Sequence, residues 1–244
     1  EKTASLDLRH GRTRIIDTYL NHDRITDGDG EEMIDAAYAA WRADRDEGRV
    51  SVLIAETRED VTALNARARA DLILDGRITP TREVALAEGT RAGVGDTVIT
   101  RRNDRRLRTG TGRDWVRNGT TWRITDVRED GSITIRKPGR RFGSIVLPAD
   151  YVAEHVDLGY AVTAHRAQGI TVDTAHVLVE PTTTRENFYV AMTRGRASNH
   201  AYVVLDRPDP THSAPHPSDN EEATGRSVLF GVIQHSGAEV SAHE

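Results

Sequence analysis

Gly159-Tyr-Ala-Val-Thr-Ala-His-Arg-Ala-Gln-Gly169, followed twenty residues later by Tyr189-Val-Ala-Met-Thr-Arg-Gly-Arg196, is the stretch on which the reading of this chain turns. The first segment places Thr163, His165, Arg166 and Gln168 ahead of a glycine turn, where backbone N–H groups can approach an anion. The second places Arg194 and Arg196 near the end of a short amphipathic helix. Arginine keeps its charge and presents a planar fork of donors, which suits phosphate oxygens. Apolar runs lie on either side, Ala175-His-Val-Leu-Val179 and Ala201-Tyr-Val-Val-Leu205, and read as strands. Thr183, with Glu186 three residues later, marks the start of the helix between them as a capping box.

Upstream, the same alternation recurs. Residues 31–46 carry Met33, Ala36, Ala37, Ala40 and Trp41 near helical spacing, and Gly48 ends that helix. Val50-Ser-Val-Leu-Ile-Ala55 reads as a buried strand, and 59–75 as a helix with Val61, Leu64, Ala68 and Leu72 on one face. Strand and helix in turn indicate an α/β layer. Near Arg91 the pattern changes. Short strand candidates at 97–100, 120–125, 132–135 and 144–147 are separated by turns at Asn118-Gly119, Asp130-Gly131 and Pro138-Gly139. They predict a small barrel or meander inserted into the α/β layer. Residues 207–220 have linker composition, and 227–240 predict a last helix.

Composition narrows the chemistry. At 244 residues with 37% hydrophobic content the chain is long enough for a sizeable core. No apolar run reaches the roughly 18 residues that span a membrane, and the first residues lack an apolar signal region. The absence of cysteine excludes disulfide and thiol chemistry and fits a cytoplasmic location. Lysine occurs only at positions 2 and 137, neither in a phosphate-loop context, so the chain carries no P-loop. The net charge is −5, yet residues 91–141 hold fourteen Arg plus Lys against six Asp plus Glu. A basic block in an acidic chain points to a polyanion partner, with a solvated arginine surface as the other reading.

The two segments resemble motifs V and VI of superfamily 1 DNA helicases, in the forms T-x-H-x-x-Q-G and Y-V-A-x-T-R-x-R. The Thr-x-His-x-x-Gln-Gly form is that of the 1B, RecD-like branch. The extended strings Leu158–Asp173 and Thr184–Arg196 are most similar to the helicase part of TraI/TrwC-type conjugative relaxases. Gly95–Asn103 and Trp115–Gly119 look like the approach to that family's SH3-like 2B insertion. The resemblance covers residues 5–207. It implies a RecA-like parallel sheet with helices on both faces, a P-loop NTPase-type second lobe without the P-loop, carrying a small SH3-like β-barrel. The implied domains are 1–91 and 156–207 for the lobe, 92–155 for the barrel, and 208–244 for a linker and C-terminal helix.

The resemblance also assigns roles. It implies an ATP-dependent 5′-to-3′ helicase in plasmid mobilisation, with ATP and Mg2+ bound only when the P-loop lobe is present and an inactive isolated fragment. Arg194 matches the arginine finger. Arg196, Gln168 and Gly169 fall at the ATP cleft, and Thr163 and His165 at the DNA. Separately from the resemblance, the arginine density of 101–117 reads as a phosphate-tracking arm on DNA, with Arg101, Arg102, Arg105, Arg106 and Asn118 as candidate contacts. The implied partners are single-stranded DNA and the P-loop lobe and relaxase domain of a longer parent; no metal site is expected. The pattern departs from the family at Thr171, where many relatives carry a glutamate, and no motif IV is recognisable. Each residue also has a plainer reading. Thr-Arg-x-Arg arises by chance in a chain with 31 arginines, and a lone His165 suits a structural role. Trp115 and Trp122 suit packing as well as base stacking. A helicase-like module that binds nucleic acid or protein without ATP chemistry is the alternative function.

Overall fold

The computed structural model describes residues 2–109, 112, 114–139, 143–205 and 223–237. In chain order the elements are α1 (Lys2–Arg9), α2 (Arg14–Leu20), β1 (Ile25–Gly28), α3 (Gly30–Asp46), β2 (Ser51–Ala55) and α4 (Arg58–Leu74). Next come β3 (Thr79–Ala85), β4 (Arg91–Val94), β5 (Thr97–Thr100), β6 (Asp104–Arg108), β7 (Trp115–Val116), β8 (Thr120–Val127), β9 (Ile133–Arg136) and β10 (Ile145–Leu147). The rest are α5 (Ala149–His155), β11 (Val156–Leu158), β12 (Ala161–Thr163), α6 (Ala164–Ala167), β13 (Val172–Val179), α7 (Arg185–Ala191), β14 (Gly195–Val204) and α8 (Gly225–Gln234). The chain divides into two compact units. One comprises 1–57, 163–165 and 171–244; the other comprises 58–162 and 166–170.

In the first unit β1, β14, β13 and β2 lie side by side in that order, every pairing parallel. This is the parallel layer the alternation of strands and helices predicts. Parallel strands covered on their faces read as continuous apolar runs, and all five residues of β2 are buried. Helix α3 presents Met33, Ala37, Trp41 and Asp44, at spacings of four, four and three, and packs against β13, β14, β2 and β1. Glu31 and Glu32 in its first turn complement the helix dipole. Helices α7 and α8 pack on each other, with α7 against β13 and α8 against β14 and β1.

The second unit carries an antiparallel sheet in the order β10-β9-β8-β5-β11, with hairpins β3–β4 and β6–β7. Val98, Trp122, Ile124, Ile133, Ile135, Leu147 and Val156 fill its interior. Trp122 is fully buried and donates its indole N–H to Thr100 Oγ1 at 3.1 Å, which corrects any reading of it as a free stacking surface. In β8 the inward residues are Trp122, Ile124 and Val127. The step of three follows from a register shift against β9 between Ile124 and Asp126, since one extra residue in a ladder turns the later side chains over.

Several boundaries differ from the sequence expectation. Thr184, not Thr183, caps α7, accepting from Asn187 N at 3.3 Å; Thr183 is buried and accepts from Glu180 N. Helix α8 begins at Gly225 behind a reciprocal Thr224–Ser227 box. The linker 207–220 and most of the glycine-rich tip after Thr109 lie outside the described residues.

Candidate functional site

The motif VI segment is built by α7 and the start of β14. Helix α7 ends at Ala191, and Arg194 folds back along it. Its Nε donates to Val190 O at 2.7 Å and its Nη2 to Thr193 Oγ1 at 2.7 Å. The guanidinium is half-buried, and that burial pushes its pKa below the ordinary arginine value. Gly195 follows because nothing larger fits: a Cβ there would sit 2.0 Å from Ser198 O, a backbone atom. Asn199 produces that closeness. It accepts from Gly195 N at 2.7 Å and donates to Gly195 O at 3.0 Å. The ladder to β13 is irregular there, with Val172 opposite Gly195 and Thr174 opposite Ser198. The intervening residues bulge, and Arg196 stands exposed on the bulge. Arg196 is not loose, since it pairs with Asp173. Asp173 Oδ2 also accepts from Val50 N at 2.9 Å, and that bond together with Arg196 holds its carboxyl below the usual range.

The Gly159–Gly169 segment is anchored just upstream of its candidate site residues. Asn65, buried on α4, accepts from Tyr160 N at 3.1 Å and Ala161 N at 3.0 Å, and donates to Ala161 O at 3.0 Å. Tyr160 is itself held through its hydroxyl, which donates to the buried Asp96 at 2.6 Å and accepts from Thr97 N at 3.1 Å. Asp96 also takes Arg69 Nε at 3.0 Å and Gly93 N at 2.7 Å. Beyond this clamp Thr163 is partly exposed, while His165, Gln168 and Gly169 are exposed. Gly169 has φ +91°, a conformation that L side chains rarely adopt, as the turn requires. Thr163 and His165 belong to the first unit, with Arg194 and Arg196; Gln168 and Gly169 belong to the second.

The arginine-dense arm sorts into two kinds of residue. Arg101 is mostly covered and pairs with Asp157 at 3.4 Å. Asp157 also meets Arg166 at 3.2 Å, and Arg166 pairs with Glu88. Burial, with Glu88 adding to it, raises the Asp157 carboxyl, and burial together with nearby Arg166 lowers Arg101. Arg101 is thus tied into the second unit's interior. Arg102, Arg105, Arg106 and Asn118 are exposed. Arg102 Nη1 lies 3.1 Å from His155 Nε2, and Arg106 grips Asp104 through Nε and Nη2 at 3.1 and 2.8 Å. Asn118 is held by its backbone N–H, which donates to Asn103 at 3.0 Å. Trp115 is half-buried, with the guanidinium carbons of Arg117 and Arg105 at 4.6 and 5.4 Å from its ring centroid.

Sequence reasoning missed Asn65, Asp173 and Asn199, which shape both motifs from a distance. It also missed a polar run in the first unit. Tyr202 O–H donates to His176 Nδ1 at 3.1 Å, and His176 Nε2–H donates to Asp44 at 2.8 Å, the tautomer this arrangement requires. His200 Nε2 meets Thr26 Oγ1 at 2.8 Å, and burial drives His200 down to about 4 and Tyr202 up to about 12. Among the described residues no group of three or more His, Cys, Asp or Glu is placed to hold a metal ion, and no helix is long and apolar enough to cross a membrane.

A family model described as the Rv2311 SH3-like barrel domain matches residues 84–157. The probable conjugal transfer protein TraA of Sinorhizobium fredii is 30% identical over 202 residues, 79% of this chain and 17% of that protein. The multifunctional conjugation protein TraI of Escherichia coli is 27% identical over 209 residues, 80% of this chain and 11% of that protein. The chain therefore spans less than a fifth of the length of either relative. Among solved structures, unliganded Pif1 from Bacteroides sp. is similar at 16% identity and TM-score 0.48, covering 82% of this chain and 49% of that one.

Proposed function

We propose that this chain, a homologue of the conjugation proteins TraA and TraI, is the second RecA-like half of a helicase that moves 5′ to 3′ along single-stranded DNA during conjugation. The observation that carries the reading is the placement of Arg194. It lies on the connection between two parallel strands, β13 and β14, at the end of α7. A glycine and an asparagine clamp fix the backbone beside it.

The chain has no P-loop, so ATP and Mg2+ would be held chiefly by a partner lobe. The residues present fit the complementary part of such a site. Bound there, the nucleotide supplies a phosphoryl group whose transfer spreads negative charge over its outer oxygens. Arg194 would leave Val190 O and Thr193 Oγ1 and place its planar donors against that charge. Arg196, on the bulge, would contribute a second cation; in the second unit, Gln168 with the Gly169 turn offers a side-chain amide and backbone N–H groups suited to an anion. Thr163, His165, Arg102, Arg105, Arg106 and Asn118 would meet the DNA. Arg101 serves this arm through its bond to Asp157 more than by direct contact.

In a protein that joins this chain to a P-loop lobe, Arg194→Ala should retain ATP and single-stranded DNA binding and lose about 10³-fold in turnover. Unchanged turnover would remove Arg194 from the mechanism. The 244-residue chain alone should bind single-stranded DNA with affinity that falls steeply as salt rises and should hydrolyse no ATP above background.

A further inference from the structure

We propose that Trp115, flanked by Arg105 and Arg117, is a stacking platform for an unpaired base of single-stranded DNA. The proposal rests on the single-stranded DNA reading above and names a contact within it. Its starting point is the unequal treatment of the three tryptophans. Trp41 and Trp122 are 1% and 0% exposed, and their indole N–H groups donate to Ser51 O and Thr100 Oγ1. Trp115 is left partly open to solvent. Side chains alternate along a strand, so in β7 the fully buried Val116 faces inward and Trp115 stands on the opposite face. Among the described residues no hydrogen bond is made by its indole N–H.

Two cations lie against that ring. The Arg117 guanidinium is 4.6 Å from the ring centroid and the Arg105 guanidinium 5.4 Å, both within cation–π range. Both arginines are exposed and can swing off the ring, so a base would take the place of one guanidinium on the indole face. Between Arg101 and Arg117 the sequence places seven arginines against Asp104 and Asp114. Asp104 is occupied by Arg106, and Asp114 by Lys137 and Arg117, so the carboxylates steady the hairpin and leave a cationic excess. A single strand presents a phosphate on each side of every base. An indole with two mobile guanidinium groups at hand matches that alternation, with the base on the ring in place of one of them and the phosphates on the displaced arginines. Every base has a π-face, so the contact tolerates any sequence. A duplex keeps its bases stacked on one another and offers this ring nothing but phosphates.

The test uses the tryptophan emission of the 244-residue chain titrated with oligo-dT or with a hairpin duplex of equal length at low salt. Because Trp41 and Trp122 are enclosed, quenching by a stacked base reports Trp115. Oligo-dT should quench and the duplex should not. Trp115→Leu should weaken oligo-dT binding about 5- to 140-fold with the duplex affinity and the salt slope unchanged, and Trp115→Phe should keep most of the affinity. Quenching of the unmutated chain needs no variant to fold. Salt-sensitive oligo-dT binding that leaves the emission unchanged, or equal quenching by the duplex, overturns the platform and leaves the DNA-binding reading standing. Absence of salt-sensitive binding overturns both.

Discussion

Replacement of Asn65 by alanine gives the sharpest test of how the motif V segment is held. Three hydrogen bonds join this side chain to the backbone of Tyr160 and Ala161, and Asn65, Tyr160 and Ala161 are 5%, 0% and 1% exposed. Alanine would strip two N–H groups and one carbonyl of that partner in a place water does not reach. A buried polar group left unmet costs about 1–3 kcal/mol, and costs within one cluster do not add fully, so we expect a loss of about 3–4 kcal/mol. The assay is urea unfolding followed by tryptophan emission. A loss below about 0.5 kcal/mol, the scale of an ordinary surface substitution, would refute the clamp. Asn65→Asp refines the test. A carboxylate accepts from both N–H groups but turns an oxygen toward Ala161 O, where only a protonated acid can donate. Its folded-state pKa should therefore rise above the unfolded value near 3.9. Relative to the unmutated chain, Asn65→Asp should be least impaired below that pH and lose stability as the pH climbs through the folded pKa.

Gly195→Ala should destabilise the chain by about 1–3 kcal/mol in the same assay, because the new Cβ meets Ser198 O at 2.0 Å and backbone must move; an unchanged midpoint would mean the bulge is not rigid. Acid should weaken the first unit. The folded pKa of His200 is about 4 against an unfolded value near 6.5, so its contribution is complete above 6.5 and disappears as pH falls toward 4. Between pH 7 and 5 this amounts to about 1–2 kcal/mol, with His176 acting in the same direction. His200→Gln, which can still reach Thr26, should flatten that slope; equal slopes in both proteins would dismiss the assignment.

What could be read from sequence is what local periodicity encodes. Residues 31–46, 50–55 and 59–75 carry apolar spacing strong enough to mark α3, β2 and α4 within a residue or two. The turns at Asn118-Gly119 and Asp130-Gly131 delimit β8 and β9 in the same local way. Strand β3 escaped because Thr79-Pro-Thr-Arg-Glu-Val-Ala85 is polar and mostly exposed, leaving no alternation to read. The bulge at Arg196 escaped for another reason. It depends on Asn199 folding back onto Gly195, and neither residue advertises that contact. Arg101 looked like its exposed neighbours because its partner, Asp157, arrives from β11, 56 positions further along the chain. The candidate residues could be named from sequence; the groups that position them could not.

The distinction between Arg194 and the scaffold arginines can be put in energetic terms. Arg69 is bound by Asp96 and Glu83, and those carboxylates raise its pKa despite burial. Removing one member of such a buried pair costs roughly 3–5 kcal/mol, so a side chain held that way does not leave to serve a ligand. Arg194 is also half-buried, but its pKa falls, and its named bonds go to a peptide carbonyl and a threonine hydroxyl. Bonds to neutral acceptors are worth about 0.5–1.5 kcal/mol each, and a bond to an ionised oxygen about twice that. Exchanging Val190 O and Thr193 Oγ1 for a phosphate oxygen would replace neutral acceptors with an ionised one. Arg196 is intermediate, since its pairing with Asp173 is largely exposed and exposed pairs contribute about 0–1 kcal/mol. The same comparison predicts the order of loss. Arg69→Ala should act on folding, Arg194→Ala on turnover with folding intact, and Arg196→Ala more weakly on both. An Arg194→Ala variant that unfolds as readily as Arg69→Ala would place Arg194 in the scaffold and take the proposed chemistry with it.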